Sequence, residues 1–301
     1  MGGDLVYTAY TEGVFTLVSL SDSFIVNLCP TGMVPRRAKV PHVPITPLEI
    51  ARDVKRCYDA GASMVHLHAR EDDESPTWRG ERFREIVDAV VTDVPDIVLV
   101  VTTSGRDWSE LEKRTESLCI EGPARPEMAS LTLGSMNFVS GPSVNSPEVI
   151  KGLAHAMAER GIVPEIEIFD VGMVNYANYL IDRGVLKPPY YFNILFGSIG
   201  TADVSAANAA AVLAALPGAA TWAFAGIGRS QLAANSLALS LGGNVRIGLE
   251  DNPYMEWRDK TPATNAALVE RVVRIAQEMG RVPATPQKAR EMIGLPPVVR
   301  A

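Results

Sequence analysis

Two of the chain's four histidines, His66 and His68, stand in the run Met64-Val65-His66-Leu67-His68. In an extended strand residues i and i+2 point to the same face. Both imidazoles therefore converge, and neutral imidazoles so placed are good zinc ligands. The pair also reads as two hydrogen-bonded polar residues capping a strand end, so a third ligand matters. A catalytic zinc takes three protein groups and keeps one position open. Glu250, in Arg246-Ile247-Gly248-Leu249-Glu250-Asp251-Asn252, is the best candidate for that third group. Adjacent acids need a cation beside them or one takes up a proton, and Arg246 can pair with Asp251. The plainer reading of the same stretch is a solvated acidic loop. Glu165 and Glu167 share a face in Glu165-Ile166-Glu167, and two carboxylates inside a strand are costly unless something uses them. His42 and His155 lack partners and read as loop and helix-surface residues.

Other apolar runs also end in polar groups. Thr102, Thr103 and Ser104 close one, as candidate substrate-binding hydroxyls. Ser130 and Thr132 lie in the next, followed by Gly134-Ser135-Met136-Asn137-Phe138. Gly226-Ile227-Gly228-Arg229 ends another run and opens a helix. A helix N-terminus at such a place can hold phosphate, which makes Gly226, Gly228 and Arg229 the candidate cofactor-binding residues.

The elements that must position these groups are legible as apolar runs: Phe24–Cys29, Met64–His68, Ile97–Val101, Met128–Leu133, Glu165–Phe169, Tyr191–Phe196, Thr221–Ala225 and Asn244–Gly248. Most are continuous rather than alternating, as in a parallel sheet covered on both faces. Helical spacing fills the intervals Pro47–Ala60, Arg79–Val91, Pro147–Arg160, Ser205–Leu216, Ser230–Leu241 and Asn265–Met279. The first of these follows Thr46, with proline at the first helical position and Glu49 placed for a capping box. Gly61, Gly161 and Gly280 sit where helices stop. Strand–helix alternation of this kind predicts a (β/α)₈ TIM barrel, an α/β fold whose function gathers at the carboxyl ends of the strands. A doubly wound sheet is the alternative, but Gln231 stands where the dinucleotide fingerprint needs its third glycine. Residues 24–301 are expected to form a single barrel domain. Residues 1–23 form an N-terminal extension that reads as an extra strand, an oligomer arm or a tail.

The chain has 301 residues and a formal charge of −7. That length fits one large α/β barrel. The acidic balance offers no basic field for nucleic acid and no attraction to anionic membranes. No run reaches the roughly 18 apolar residues of a transmembrane helix, and the first residues lack a signal peptide's basic start and apolar core. The expected location is the cytoplasm. Cys29, Cys57 and Cys119 form no C-x-x-C pair and read as reduced small hydrophobes.

Six ordered motifs, HLHARED, GPARPEMAS with GSMNF, PEIEIFDVGMV, TWAFAGIGR, RIGLEDN and the TPQKAREMIGL tail, together resemble the β-keto acid cleavage enzymes. The resemblance runs from about Phe24 through that tail. It implies a zinc ion at the top of a (β/α)₈ barrel, held by His66, His68 and Glu250, with acetyl-CoA as co-substrate. The implied reaction is a reversed Claisen condensation, in which a 3-keto acid and acetyl-CoA give acetoacetate and a shortened acyl-CoA. Asp251, paired with Arg246, maps onto the family's catalytic dyad as base for the C2 proton. Glu167 maps onto an active-site glutamate, Thr102 onto a hydroxyl near the substrate carboxylate, and Ser130 onto the hydroxyl position after P-E-M-A. The resemblance also implies a homo-tetramer.

One departure bears on substrate. In the loop Cys29-Pro30-Thr31-Gly32-Met33-Val34, members acting on amino-bearing keto acids are expected to carry a carboxylate; this chain has Met33 and Val34. An unpartnered ammonium there costs several kcal/mol. Short uncharged 3-keto acids are therefore expected to outcompete 3-keto-5-amino acids, while Arg36 and Arg37 leave an anionic tail open. Two other classes compete with this reading. A zinc-dependent barrel hydrolase would need later histidines, and none follows His155. A non-catalytic barrel acting as a binding protein would have no use for the intact set His66, His68, Arg246, Glu250 and Asp251.

Overall fold

A computed structural model of the chain describes residues 22–139 and 141–297. Each expected apolar run is a strand: β1 (Val26–Leu28), β2 (Met64–Leu67), β3 (Val98–Val101), β4 (Met128–Thr132), β5 (Val163–Ile168), β6 (Tyr190–Phe196), β7 (Ala220–Gly226) and β8 (Asn244–Ile247). They close into one barrel in the order β5-β6-β7-β8-β1-β2-β3-β4. Neighbours run parallel throughout, and β8 pairs β1 with Arg246 opposite Asn27. The fold is the (β/α)₈ TIM barrel.

The strands alternate with α1 (Pro47–Asp59), α2 (Gly80–Asp93), α3 (Leu111–Thr115), α4 (Pro147–Glu159), α5 (Val171–Asp182), α6 (Ala206–Ala215), α7 (Gln231–Ser240) and α8 (Asn265–Glu278), and α9 (Pro286–Ile293) follows. The capping box of α1 forms: Glu49 N–H donates to Thr46 Oγ1 at 3.3 Å, and Thr46 N–H donates to Glu49 Oε2 at 3.0 Å. Three helices were not foreshadowed by apolar spacing. α3 is too short for a period to show. α5 is signalled by its cap, Asp170, whose Oδ1 accepts from Met173 N–H at 3.1 Å. α9 has Thr285 as N-cap and left-handed Gly294 as its stop.

That last helix closes the floor of the barrel. Ala289 and Ile293 pack with inward residues of the lower strand ends, among them Ile25, Met64, Met128 and Tyr191. Two residues further up the same strands the interior turns polar, with Asn27, His66, Ser130, Glu165, Asn193 and Arg246 all buried. The barrel thus has an apolar floor and a polar upper layer, and period-2 alternation sends both sets inward.

The extension expected over residues 1–23 lies outside the described residues up to position 21. Ser23 pairs in parallel with Val282 beside the barrel. Among the described residues no helix is long and apolar enough to cross a membrane.

Candidate active site

β2 ends one residue short of His68 and holds His66 within its ladder. The Nε2 atoms of the two rings stand 3.2 Å apart. Glu250 follows β8, the second neighbour of β2 around the barrel, and its Oε1 lies 3.2 Å from His68 Nε2. Its Oε2 is buried with no hydrogen-bond partner among the described residues. These three side chains offer ligand atoms close enough to share one metal ion. The fit is chemical as well as spatial. Two nitrogens about 2.0–2.1 Å from one tetrahedral ion stand about 3.3 Å apart. His66 Nδ1 faces Glu165 Oε2 at 2.6 Å, which leaves its Nε2 for a ligand. A second grouping, His66 with Glu165 and Glu167, is also close. Its carboxylates are already engaged, however, by Asn27, Asn193, Thr132 and Arg246.

Glu250 is held in place from above. Gly32, in the loop after β1, adopts a left-handed φ of 62°, and a Cβ there would meet Glu250 Cγ at 2.5 Å. The buried Arg70 ties that loop down by donating to the carbonyls of Gly32 and Pro35 at 2.6 and 2.9 Å. Nothing in the spacing of HLHARED singled out Arg70 for this role.

Arg246 is the hub. It is 2% exposed and donates to Glu167 at 3.0 Å, Glu250 at 2.6 Å and Asp251 at 3.0 Å. Burial works against its charge, but Asp251 and Glu250 hold its pKa well above the ordinary arginine value. Burial alone would raise the Glu250 carboxyl; His68 and Arg246 instead take it well below the usual range. Glu165 is likewise pulled down by His66 and Arg246 against its burial. Glu167 goes the other way, raised by burial despite Arg246. One interior therefore holds carboxyls driven apart in acidity, a common mark of acid–base sites.

Asp251 completes the arrangement. Its Oδ2 accepts from Arg246 Nε at 3.0 Å and from the Cys29 thiol at 3.2 Å. Its Oδ1 has no hydrogen-bond partner among the described residues, and the residue lines the main cavity. Cys29 is thus more than a small hydrophobe. Burial, with Asp251 beside it, pushes its thiol well up, so it stays a donor.

The cavity has a volume of about 480 Å³, within the usual range for small-molecule sites. His66, His68, Thr102, Ser104, Glu167, Arg246, Glu250, Asp251, Met33 and Val34 all line it. Ser130 and Thr103 do not. They bind each other: Thr103 N–H donates to Ser130 Oγ at 3.0 Å, and Thr103 Oγ1 donates to the Ser130 carbonyl at 2.6 Å. The hydroxyl that meets Glu167 belongs to Thr132, donating at 2.7 Å. Gly226 lets the start of α7 pack on β7, since a Cβ would collide with the Ser230 backbone. The Gly228 N–H is spent on the Asp251 carbonyl at 2.7 Å, so it holds the loop that carries Asp251. Arg229 is exposed at the start of α7.

Barrel and site together define an α/β-barrel enzyme with a metal-competent centre at the carboxyl ends of its strands. A family model described as beta-keto acid cleavage enzyme matches residues 23–295. The chain is 37% identical over 278 residues to the 3-keto-5-aminohexanoate cleavage enzyme of Fusobacterium nucleatum, covering 92% of this chain and 99% of that relative. It is 37% identical over 275 residues to the 3-oxoadipate:acetyl-CoA acetyltransferase of Cupriavidus necator, covering 90% and 95%. The apo structure of ObcA superposes with a TM-score of 0.72 at 21% identity, over 85% of this chain and 66% of that one, and so shares the fold. The chain belongs to the β-keto acid cleavage enzyme family.

Proposed function

We propose that this protein is a zinc-dependent acyltransferase that condenses a 3-keto acid with acetyl-CoA and releases acetoacetate and an acyl-CoA. The observation that carries this reading is Asp251, anchored through Oδ2 by Arg246 and Cys29, with Oδ1 unengaged on a residue that lines the cavity beside His66, His68 and Glu250. Relatives of equal identity are named for two different 3-keto acids, which supports the reaction more firmly than any one substrate.

The chain's own groups can perform the proton and carbon chemistry. Oδ1 of Asp251 takes a proton from C2 of the keto acid, and Arg246 keeps the carboxylate oriented while the proton moves. The C2 carbanion attacks the thioester carbonyl of acetyl-CoA, a C–C bond forms, and CoA leaves as thiolate. The thiolate then attacks the original ketone carbon. The C2–C3 bond breaks, the acyl group departs on CoA, and the proton returns to C2 to give acetoacetate. Thr102 presents a hydroxyl at the cavity where charge develops on oxygen, while the Thr132 hydroxyl is spent on Glu167. A zinc ion bound by His66, His68 and Glu250 would supply Lewis-acid stabilisation of that charge. The reading carries with it a cytoplasmic homo-tetramer.

The test is acetoacetate formation from a panel of 3-keto acids with acetyl-CoA, alongside metal analysis of the purified protein. Turnover that depends on acetyl-CoA, with about one zinc per chain, is the expected result. Substrate consumption indifferent to acetyl-CoA would instead point to the hydrolase class. Absence of turnover and of bound metal would point to a binding protein.

A further inference from the structure

The cavity holds an arginine that this reaction leaves without a task. Arg106 follows Gly105 on the loop after β3 and lines the cavity. Its guanidinium sits over the Phe138 ring at 3.9 Å from the centroid, and Phe138 packs edge-on against Phe169 at 5.9 Å. Glu250, Asp107, Asp251 and Glu167 attract it; Glu250, Asp251 and Glu167 give their ion pairs to Arg246, and Asp107, its exposed neighbour in sequence, forms none with it. Among the described residues the Arg106 side chain makes no hydrogen bond or ion pair. Two further arginines, on the loop after β1, are engaged. Arg36 donates to the Met33 carbonyl at 3.2 Å, and Arg37 pairs with Glu49 and Glu74.

We propose that Arg106 binds the substrate's tail and that the favoured substrate is a 3-keto acid with a second carboxylate at its far end, a 3-oxo dicarboxylic acid. The inference deepens the function proposed above and rests on it. A guanidinium seated over an aromatic face keeps its N–H edge for a planar carboxylate, the geometry of bidentate recognition. Arg106 makes no ion pair with Glu250 or Asp251, so it stands off from the reacting end. It is seated instead on Phe138, and Met136, Phe169 and Leu195 also line the cavity with apolar surface that suits a run of methylenes. A half-buried cation without a partner gains most from an anion that enters the same space. The same charge repels an ammonium, and Val34 and Met33 offer that group no carboxylate.

The matched pair 3-oxoadipate and 3-oxohexanoate, alike except for carboxylate against methyl, tests the inference. The unmodified protein is expected to favour 3-oxoadipate in kcat/KM by about 10- to 100-fold, as charge-assisted hydrogen bonds are worth. Most of that preference should lie in KM. Arg106→Gln should bring the ratio close to one, and Arg106→Lys should recover part of it. Should a variant fail to fold, calorimetric titration of the unmodified protein with each acid, acetyl-CoA omitted, reads the same preference as a difference in Kd. Turnover of 3-oxohexanoate with no preference for 3-oxoadipate overturns this inference and leaves the proposed function intact. An equal loss on both acids in Arg106→Gln also overturns it, since the guanidinium would then bind something the two reactions share. Turnover of neither acid overturns the proposed function, and the inference falls with it.

Discussion

Glu165 Oε2 lies 2.6 Å from His66 Nδ1, while the same ring's Nε2 faces His68. A buried carboxylate at Nδ1 favours a proton on that nitrogen and turns Nε2 towards His68. Glu165 is itself fixed, its Oε1 accepting from Asn27 at 2.6 Å and Asn193 at 3.2 Å. The costly interior carboxylate thus acts through the histidine above it. Glu165→Gln is expected to weaken zinc binding by about 10- to 100-fold, the usual loss when such a partner is changed. Competition against a chelator of known affinity measures it. Unaltered affinity would show that the ring holds its orientation without the charge.

His68 Nε2 lies 3.2 Å from Glu250 Oε1, and on the proposed zinc site its loss removes one of three protein donors. His68→Ala is expected to strip both metal and activity while the apolar floor, two layers below, keeps the fold. Elemental analysis and thermal unfolding separate the two effects. A full zinc complement in the variant would overturn the ligand assignment.

Asp251→Asn should retain zinc and lose most turnover. An amide cannot take the C2 proton, and a positioned general base is worth about 10²- to 10⁴-fold. The sharp readout is exchange of the C2 protons into deuterated water. Exchange at the unmodified rate would move the base role to Glu167, the other cavity carboxylate bound to Arg246.

Much of this site was legible because a barrel places strand ends together. H-x-H at the end of β2, the acids after β8, and Arg246 two residues up an inward face from Asn244 all follow from a period of two and a closed order of strands. The period does not say how high along a strand a group sits. Ser130 and Thr132 both face inward, and only the register with β5, which sets Thr132 opposite Glu167, decides which meets the cavity. Arg106 and Arg70 left no trace at all. A single arginine has no spacing, and each acts through contacts remote in sequence, Arg106 with Phe138 and Arg70 with the carbonyls of Gly32 and Pro35. The helix α9 did carry its start and stop signals in Thr285-Pro286 and Gly294. What it packs against is set only once the barrel closes.

That closure leads to a stability prediction. Arg290 of α9 binds Glu127 through two contacts of 2.6 and 2.8 Å, and donates to the Asp96 carbonyl at 2.7 Å. Both side chains are less than 10% exposed, so little solvent screens the pair. Arg290→Met leaves Glu127 buried without this partner, which typically costs about 3–5 kcal/mol. The expected result is a fall in Tm on the order of 10 °C, read by calorimetry. A shift within a degree or two would mean that α9 is held by its apolar face alone.

The loop after β1 bears on which tails are rejected. Val34 lines the cavity, yet it is 54% exposed. An ammonium beside it would keep part of its water, so the penalty is smaller than the several kcal/mol of a fully buried site. A partly exposed ion pair contributes about 1 kcal/mol, or about fivefold in kcat/KM at roughly 1.4 kcal/mol per decade. Val34→Glu supplies the missing carboxylate. It should raise kcat/KM for 3-keto-5-aminohexanoate about fivefold relative to 3-oxohexanoate, and added salt should erode the gain because the pair is screened. The unmodified protein should prefer the uncharged acid, since Arg106 adds repulsion to the absent partner. Side-by-side kinetics of the two acids decide the matter. A preference for the amine in the unmodified protein would mean that another acidic group reaches the tail.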